Sequence, residues 1–149
     1  MVLPQREGNG RYYHKYFWDA IETYQAEASS LNVQIEYFPF EEDKNHQIQI
    51  LDKLFDNGNT EYDGLLTMPI QNDEDLRQAV ERFSYKSVPV VLIDSDLKDS
   101  GRLCCIAPHD QLTGRLGAEI LTSITHKPGK ILIASGSAAH AAHMHNLQG

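Results

Sequence analysis

The sequence predicts an α/β domain built on a doubly wound parallel sheet, and three observations carry that expectation. The first is Val88-Pro89-Val90-Val91-Leu92-Ile93, an unbroken apolar run that stops abruptly at Asp94, Ser95 and Asp96. Such a run, rich in β-branched residues, reads as a strand buried on both faces, as in a parallel sheet covered by helices. The second is that strand-like runs alternate with segments of helical spacing along the chain, the pattern of βαβ units. The third is the position of the polar cluster. Ligands of open α/β sheets bind outside the carboxyl ends of the strands, so Asp94, Ser95 and Asp96 stand where a ligand is expected.

The elements follow in order. Val2 to Pro4 reads as a first strand, with a loop through Gly8, Asn9 and Gly10. A helix then carries Phe17, Trp18, Ile21, Tyr24 and Ala28 at helical spacing. Val33 to Phe40 alternates as a second strand. Asp43 can cap a helix with Ile48, Leu51, Leu54 and Phe55 on its inner face, ended by Gly58. Asp63 to Pro69 is a third strand, and Asp73 opens a helix with Leu76, Val80 and Phe83 inward. After the Val88 run, Leu103 to Ala107 forms a short strand and Asp110 caps a helix containing Leu112, Leu116, Ile120 and Leu121. Pro128-Gly129 turns the chain into a strand over Lys130 to Ser135, and a last helix starts near Ala138.

Composition narrows the function. With 149 residues, 41% apolar and 23% charged, the chain has ordinary globular content. No apolar stretch approaches the ~20 residues that span a bilayer, so no membrane partner is expected. Met1 leads straight into a strand rather than into the basic region and apolar core of a signal peptide. Cys104 and Cys105 are neighbours in a strand, whose successive side chains face opposite ways, which opposes a bond between them and favours a reducing compartment. Both points predict a cytoplasmic location, with a periplasmic one as the alternative. The net charge of −8 opposes phosphate contacts, so this chain alone should not bind DNA.

The order and spacing of the pieces resemble one family. Phe17-Trp18 opening the first helix, Asp43 to Leu54 with Gln47 and Asp52, Asp63-Gly64-Leu65-Leu66-Thr67-Met68-Pro69 and Val88 to Asp96 look like the amino-terminal lobe of a type I periplasmic-binding-protein fold. The resemblance continues through Asp99 to Ile106, Asp110, Gly114-Arg115, Ala118-Glu119 and Gly129 to Ile133, and so covers nearly the whole chain. That fold serves exported solute-binding proteins and the effector domains of lactose-repressor-like transcription regulators. Arg102-Leu103-Cys104 and Gly114-Arg115 look more like the regulators. The resemblance implies two lobes with a ligand clamped between them: residues 1–108 as the amino-terminal lobe and 109–149 as the crossover and an incomplete start of the carboxyl-terminal lobe. It implies a fragment of a longer protein, a homodimer at full length, and DNA contact only through a headpiece outside this chain.

Strand ends and the resemblance lead to much the same ligand contacts. Phe17 and Trp18 follow the first strand, and aromatic faces pack on the apolar face of a sugar ring. Asp94 can accept two sugar hydroxyls in charge-assisted bonds. Ser95 and Asp96 follow it as further candidates, although successive strand residues face opposite ways and so do not all turn to one ligand. Gln71 and Asn72 follow the third strand as candidate donors, or as turn caps. His109 and Asp110 follow the short strand, where Asp110 reads as a helix cap. The family usually places an arginine where this chain has Asn146, and asparagine cannot make arginine's bidentate ion pair. With Asp94 and Asp96, that departure favours a neutral, sugar-like ligand.

Other chemistries fit less well. His140, His143 and His145 resemble a metal cluster, but no carboxylate or cysteine stands at ligand spacing, and no metal is expected. Gly8-Asn9-Gly10 hints at a dinucleotide fingerprint with Glu41 or Glu42 as its acid, but the third glycine is replaced by Tyr13. Asp63 to Pro69 echoes a phospho-acceptor strand, yet Thr67 stands where the aspartate is needed. No nucleophile, base and orienting group stand at readable spacing, so no catalytic residue, cofactor or enzymatic activity is expected.

Overall fold

The computed structural model describes residues 1–6, 12–41, 43–56, 62–125, 128–134 and 147–148. Within them, five parallel strands form one sheet: β1 (Val2–Pro4), β2 (Phe38–Phe40), β3 (Leu65–Thr67), β4 (Val90–Ile93) and β5 (Cys104–Ile106), in the order β2-β1-β3-β4-β5. Four helices connect or follow them: α1 (Tyr12–Ala28), α2 (Lys44–Asp56), α3 (Glu74–Tyr85) and α4 (Asp110–Ile124). The doubly wound α/β class read from the alternation is the observed one. Parallel pairing sends every strand's carboxyl end to one edge of the sheet, and the order reverses between β1 and β3, which makes that point the switch where α/β ligands sit.

The core lies beneath α2 and α3. Phe40, Leu51, Leu65, Leu76, Val80, Phe83, Val90, Leu92 and Leu97 form one buried cluster, in which Phe55 meets Phe83 edge-on at 5.7 Å. Asp73 caps α3 by accepting from the Asp75 and Leu76 N–H groups, and the Asp43 carboxylate accepts from the Asn45 N–H at the start of α2. Both caps match their sequence signals.

Several elements depart from expectation. β2 has three residues instead of the eight from Val33 to Phe40, because its partner β1 begins at Val2, which pairs with Phe38. β4 is buried on one face only: Val90 and Leu92 are sealed, whereas Val91 and Ile93 are half-buried. α3 covers the sealed face, but the next helix, α4, buries none of its residues and closes nothing. The N-cap of α4 is His109, whose Nδ1 accepts from the Leu112 N–H at 3.2 Å, with Asp110 as the first helical residue rather than the cap. Residues 128–134 form no strand, since no described strand offers them a ladder. Gly8 to Gly10, Glu42, Gly58, the three histidines from His140 to His145 and Asn146 lie outside the described residues, as does the start of the expected last helix.

Cys104 and Cys105 are both free. Burial, then the carboxylate of Asp96, pushes the Cys105 thiol above its usual range.

The uncovered apolar surface has a measurable consequence. Leu116, Ile120 and Ile124 on α4, with Leu132 at 93% exposure, all face solvent. Contiguous exposed apolar surface binds hydrophobic dyes and other proteins. This 149-residue chain is therefore expected to enhance the fluorescence of an anilinonaphthalene dye, and Leu116→Lys with Ile120→Lys to reduce that signal severalfold. A monomer that unfolds cooperatively and binds no dye would contradict it.

Candidate functional site

The carboxyl edge of the sheet gathers the loops after β1, β3 and β4. At the β1/β3 switch point, Leu3, Pro4, Phe17, Trp18 and Met68 line a shallow apolar notch. α1 supplies the aromatic pair, and local bonds hold Trp18 in place. Its indole N–H donates to the Pro4 carbonyl at 2.9 Å, and its ring lies 5.5 Å from that of Tyr37. The indole donor is thereby spent inside the protein, so Trp18 offers a ligand only its apolar face.

The loop after β3 carries Gln71, half-buried, and Asn72, exposed. Its path is set from beneath by Gln47, a fully buried α2 residue that sequence reasoning placed only within a motif. Gln47 Nε2 donates to Thr67 Oγ1 at 3.1 Å and to the Met68 carbonyl at 2.9 Å, while its Oε1 accepts from the Ile70 N–H at 3.2 Å. A polar residue among apolar helix positions was the signal available, since Gln is seldom buried without partners.

After β4, the three polar residues separate. Asp94 adopts a left-handed backbone with φ of 66°, a conformation that Asp tolerates better than most residues. Its N–H donates to the Ile106 carbonyl at 2.9 Å, and its half-buried carboxylate meets the Ser95 hydroxyl only at 3.5 Å. Ser95 itself is buried, at 5% exposure. Asp96 is engaged by Arg102: Nη2 donates to Oδ2 at 2.7 Å, and Nε lies 2.5 Å from Oδ1 as an ionic contact without hydrogen-bond alignment. That pair ties the returning loop to the entry of β5 and neutralises one of the two carboxylates counted toward the ligand. Asp94 alone keeps an unpaired charge among the three.

Beside this edge, Lys44 Nζ at the start of α2 donates to Asp73 Oδ2 at 2.5 Å. The ammonium group, opposed in part by desolvation, and the two N–H groups of the cap hold the Asp73 carboxyl below its usual range. Because the folded value is the lower one, this stabilisation is present above the unfolded value of about 3.9 and is lost as pH falls through the folded one. Asp73→Ala is expected to cost about 1 kcal/mol at pH 7, the usual value of an N-cap. Urea titrations should show the difference from wild type shrinking with acidification below about pH 4, and a deficit that persists unchanged there would contradict the assignment.

Among the described residues, no group of three or more His, Cys, Asp or Glu side chains could hold a metal ion, and no helix is long and apolar enough to cross a membrane.

The chain is similar in fold to several solved proteins. The periplasmic component of an ABC-type sugar transport system from Hahella chejuensis is 24% identical over 99% of this chain and 52% of that one, with a TM-score of 0.78. GanP, a glucose-galactose binding protein from Geobacillus stearothermophilus, is 23% identical over 99% and 50%, with a TM-score of 0.73. The binding protein of an arabinose ABC transporter from Shewanella sp. ANA-3 is 19% identical over 98% and 47%, with a TM-score of 0.77. The chain spans about half the length of these structures. No curated protein sequence matches it. The family model described as periplasmic binding protein domain matches residues 8–149, nearly the whole sequence, and the chain belongs to that family.

Proposed function

We propose that this chain forms the sugar-recognising amino-terminal lobe of a solute-binding protein serving a sugar transporter. The observation that carries the reading is the pair of half-buried aromatic side chains, Phe17 and Trp18, that α1 sets beside the β1/β3 switch point, over a notch too tight to hold a ligand by itself. Their faces suit the apolar face of a pyranose or furanose ring, while Asp94, Gln71 and Asn72 bind hydroxyls around it. Asp94 opposes anionic ligands, so the ligand is a neutral monosaccharide, as the names of the similar transport proteins support. Residues 1–108 act as one lobe and 109 onward as the crossover to a second. Ligand held between lobes favours the closed form by its differential affinity. The role is binding, without catalysis or cofactor, and the place of work is outside the cytoplasmic membrane.

A regulator's effector domain is the reading that the sequence favoured through Arg102-Leu103-Cys104 and Gly114-Arg115. Arg102 loses weight as a marker because its guanidinium serves a local ion pair with Asp96, and the similar structures named above are transport proteins.

Calorimetric titration with D-galactose, D-ribose and L-arabinose, each beside its phosphate ester, tests the ligand class. Binding of a neutral sugar and not of its ester is the expected result, and tight binding of an ester would overturn it. Cell fractionation tests the location. Recovery in the cytoplasm joined to a helix-turn-helix segment would replace the transport reading with the regulatory one.

A further inference from the structure

Gln47 sits in the first turn of α2 with no exposed surface, at a position where a leucine or methionine would fill the same space without desolvating an amide. Its side chain instead makes three hydrogen bonds, all to β3 or the loop that follows it. Thr67 extends the network, because its Oγ1 accepts from Gln47 and donates to the Val2 carbonyl at 2.8 Å. One amide thus links α2 to β1, β3 and the loop through Ile70, at the switch point itself. Pro69 has no N–H, so Ile70 carries the first amide after Met68 that the loop can offer. The orientation of the side chain is determined, since a flipped amide would set its oxygen against the Met68 carbonyl and its NH2 against the Ile70 N–H.

The residues held by this amide lie directly beneath the ligand edge. Met68 lines the notch against Trp18, and Gln71 follows Ile70 directly. We propose that Gln47 is a positioning residue for ligand recognition. Its buried amide fixes where the loop after β3 presents Met68 to Trp18 and Gln71 to the rim. This rests on the sugar-binding reading above. An apolar replacement keeps the core filled but frees the Met68 carbonyl and the Ile70 N–H, so the loop relaxes while the sheet persists.

The test uses Gln47→Met, which keeps volume and removes all three bonds, and Gln47→Glu, which keeps the acceptor for Ile70 but cannot donate to Met68 as a carboxylate. Trp18 is the only tryptophan, so its emission reports the notch directly. With circular dichroism and β4 amide protection unchanged, Gln47→Met should shift that emission and speed Ile70 amide exchange by about tenfold or more, the scale of a lost buried hydrogen bond. Affinity for whichever of D-galactose, D-ribose and L-arabinose the wild type binds should fall by a similar factor. Gln47→Glu should disturb Trp18 while sparing Ile70 relative to Gln47→Met. Unchanged Trp18 emission and Ile70 exchange in a folded variant would overturn the proposal, as would wild-type sugar affinity despite a moved loop. Should Gln47→Met fail to fold, an unaltered Trp18 emission in Gln47→Glu would overturn it. A wild-type chain that binds none of the sugars would instead sink the sugar reading, while shifts of Trp18 and Ile70 would still uphold the control of the loop by Gln47.

Discussion

Replacing Phe83 with alanine should lower the unfolding free energy by about 3 to 5 kcal/mol, the cost of deleting a buried aromatic side chain. Phe83 is 2% exposed and belongs to the cluster that joins α3 to β4. Its ring stands edge-on to Phe55 at 5.7 Å, so the substitution removes both transfer energy and a defined aromatic contact. The backbone around it is fixed independently, because its carbonyl accepts from the Lys86 and Val88 N–H groups. That anchoring prevents easy collapse of the cavity and places the expected cost toward the upper part of the range. A domain with a total stability of about 5 to 15 kcal/mol would become marginal. Equilibrium denaturation with guanidinium measures it. A loss below about 1.5 kcal/mol would mean that α3 does not close this core.

Removing the Asp94 carboxylate should weaken binding of a neutral sugar by about 1.5 to 3 kcal/mol, the range for hydrogen bonds to a charged group. The backbone complicates the choice of variant. Asp94 sits at φ of 66°, where alanine pays about 1 kcal/mol of left-handed strain and glycine pays almost none. Asp94→Gly therefore isolates the side chain, and Asp94→Ala should lose similar affinity with an added loss of stability. Asp96→Asn should behave differently. It breaks the pair with Arg102 and should reduce stability while changing sugar affinity far less. Calorimetry on the three variants decides the matter. Unchanged affinity in Asp94→Gly, or a larger affinity loss in Asp96→Asn, would move the ligand away from the end of β4.

Much of the architecture was readable because its signals are short-ranged. The apolar runs at Leu65 and Val90, the helical spacing of Leu76, Val80 and Phe83, and the Asp73 cap each depend on residues within about four positions of one another. Alternation of strands and helices then implied the parallel sheet and its ligand-bearing edge. The tertiary structure decided what depends on distant partners. β2 stopped at three residues because β1 offers no more ladder. Val91 and Ile93 stayed half-buried because α4 leaves their face open. Asp96 was drawn to Arg102 by a loop that turns back on itself, and Asp94 kept its charge unpaired one turn away. Gln47 became the centre of a network spanning residues 2 to 70. Periodicity reports which face of an element is apolar. Which partner covers that face, and which polar groups end up paired there, is settled only when segments far apart in the chain are packed together.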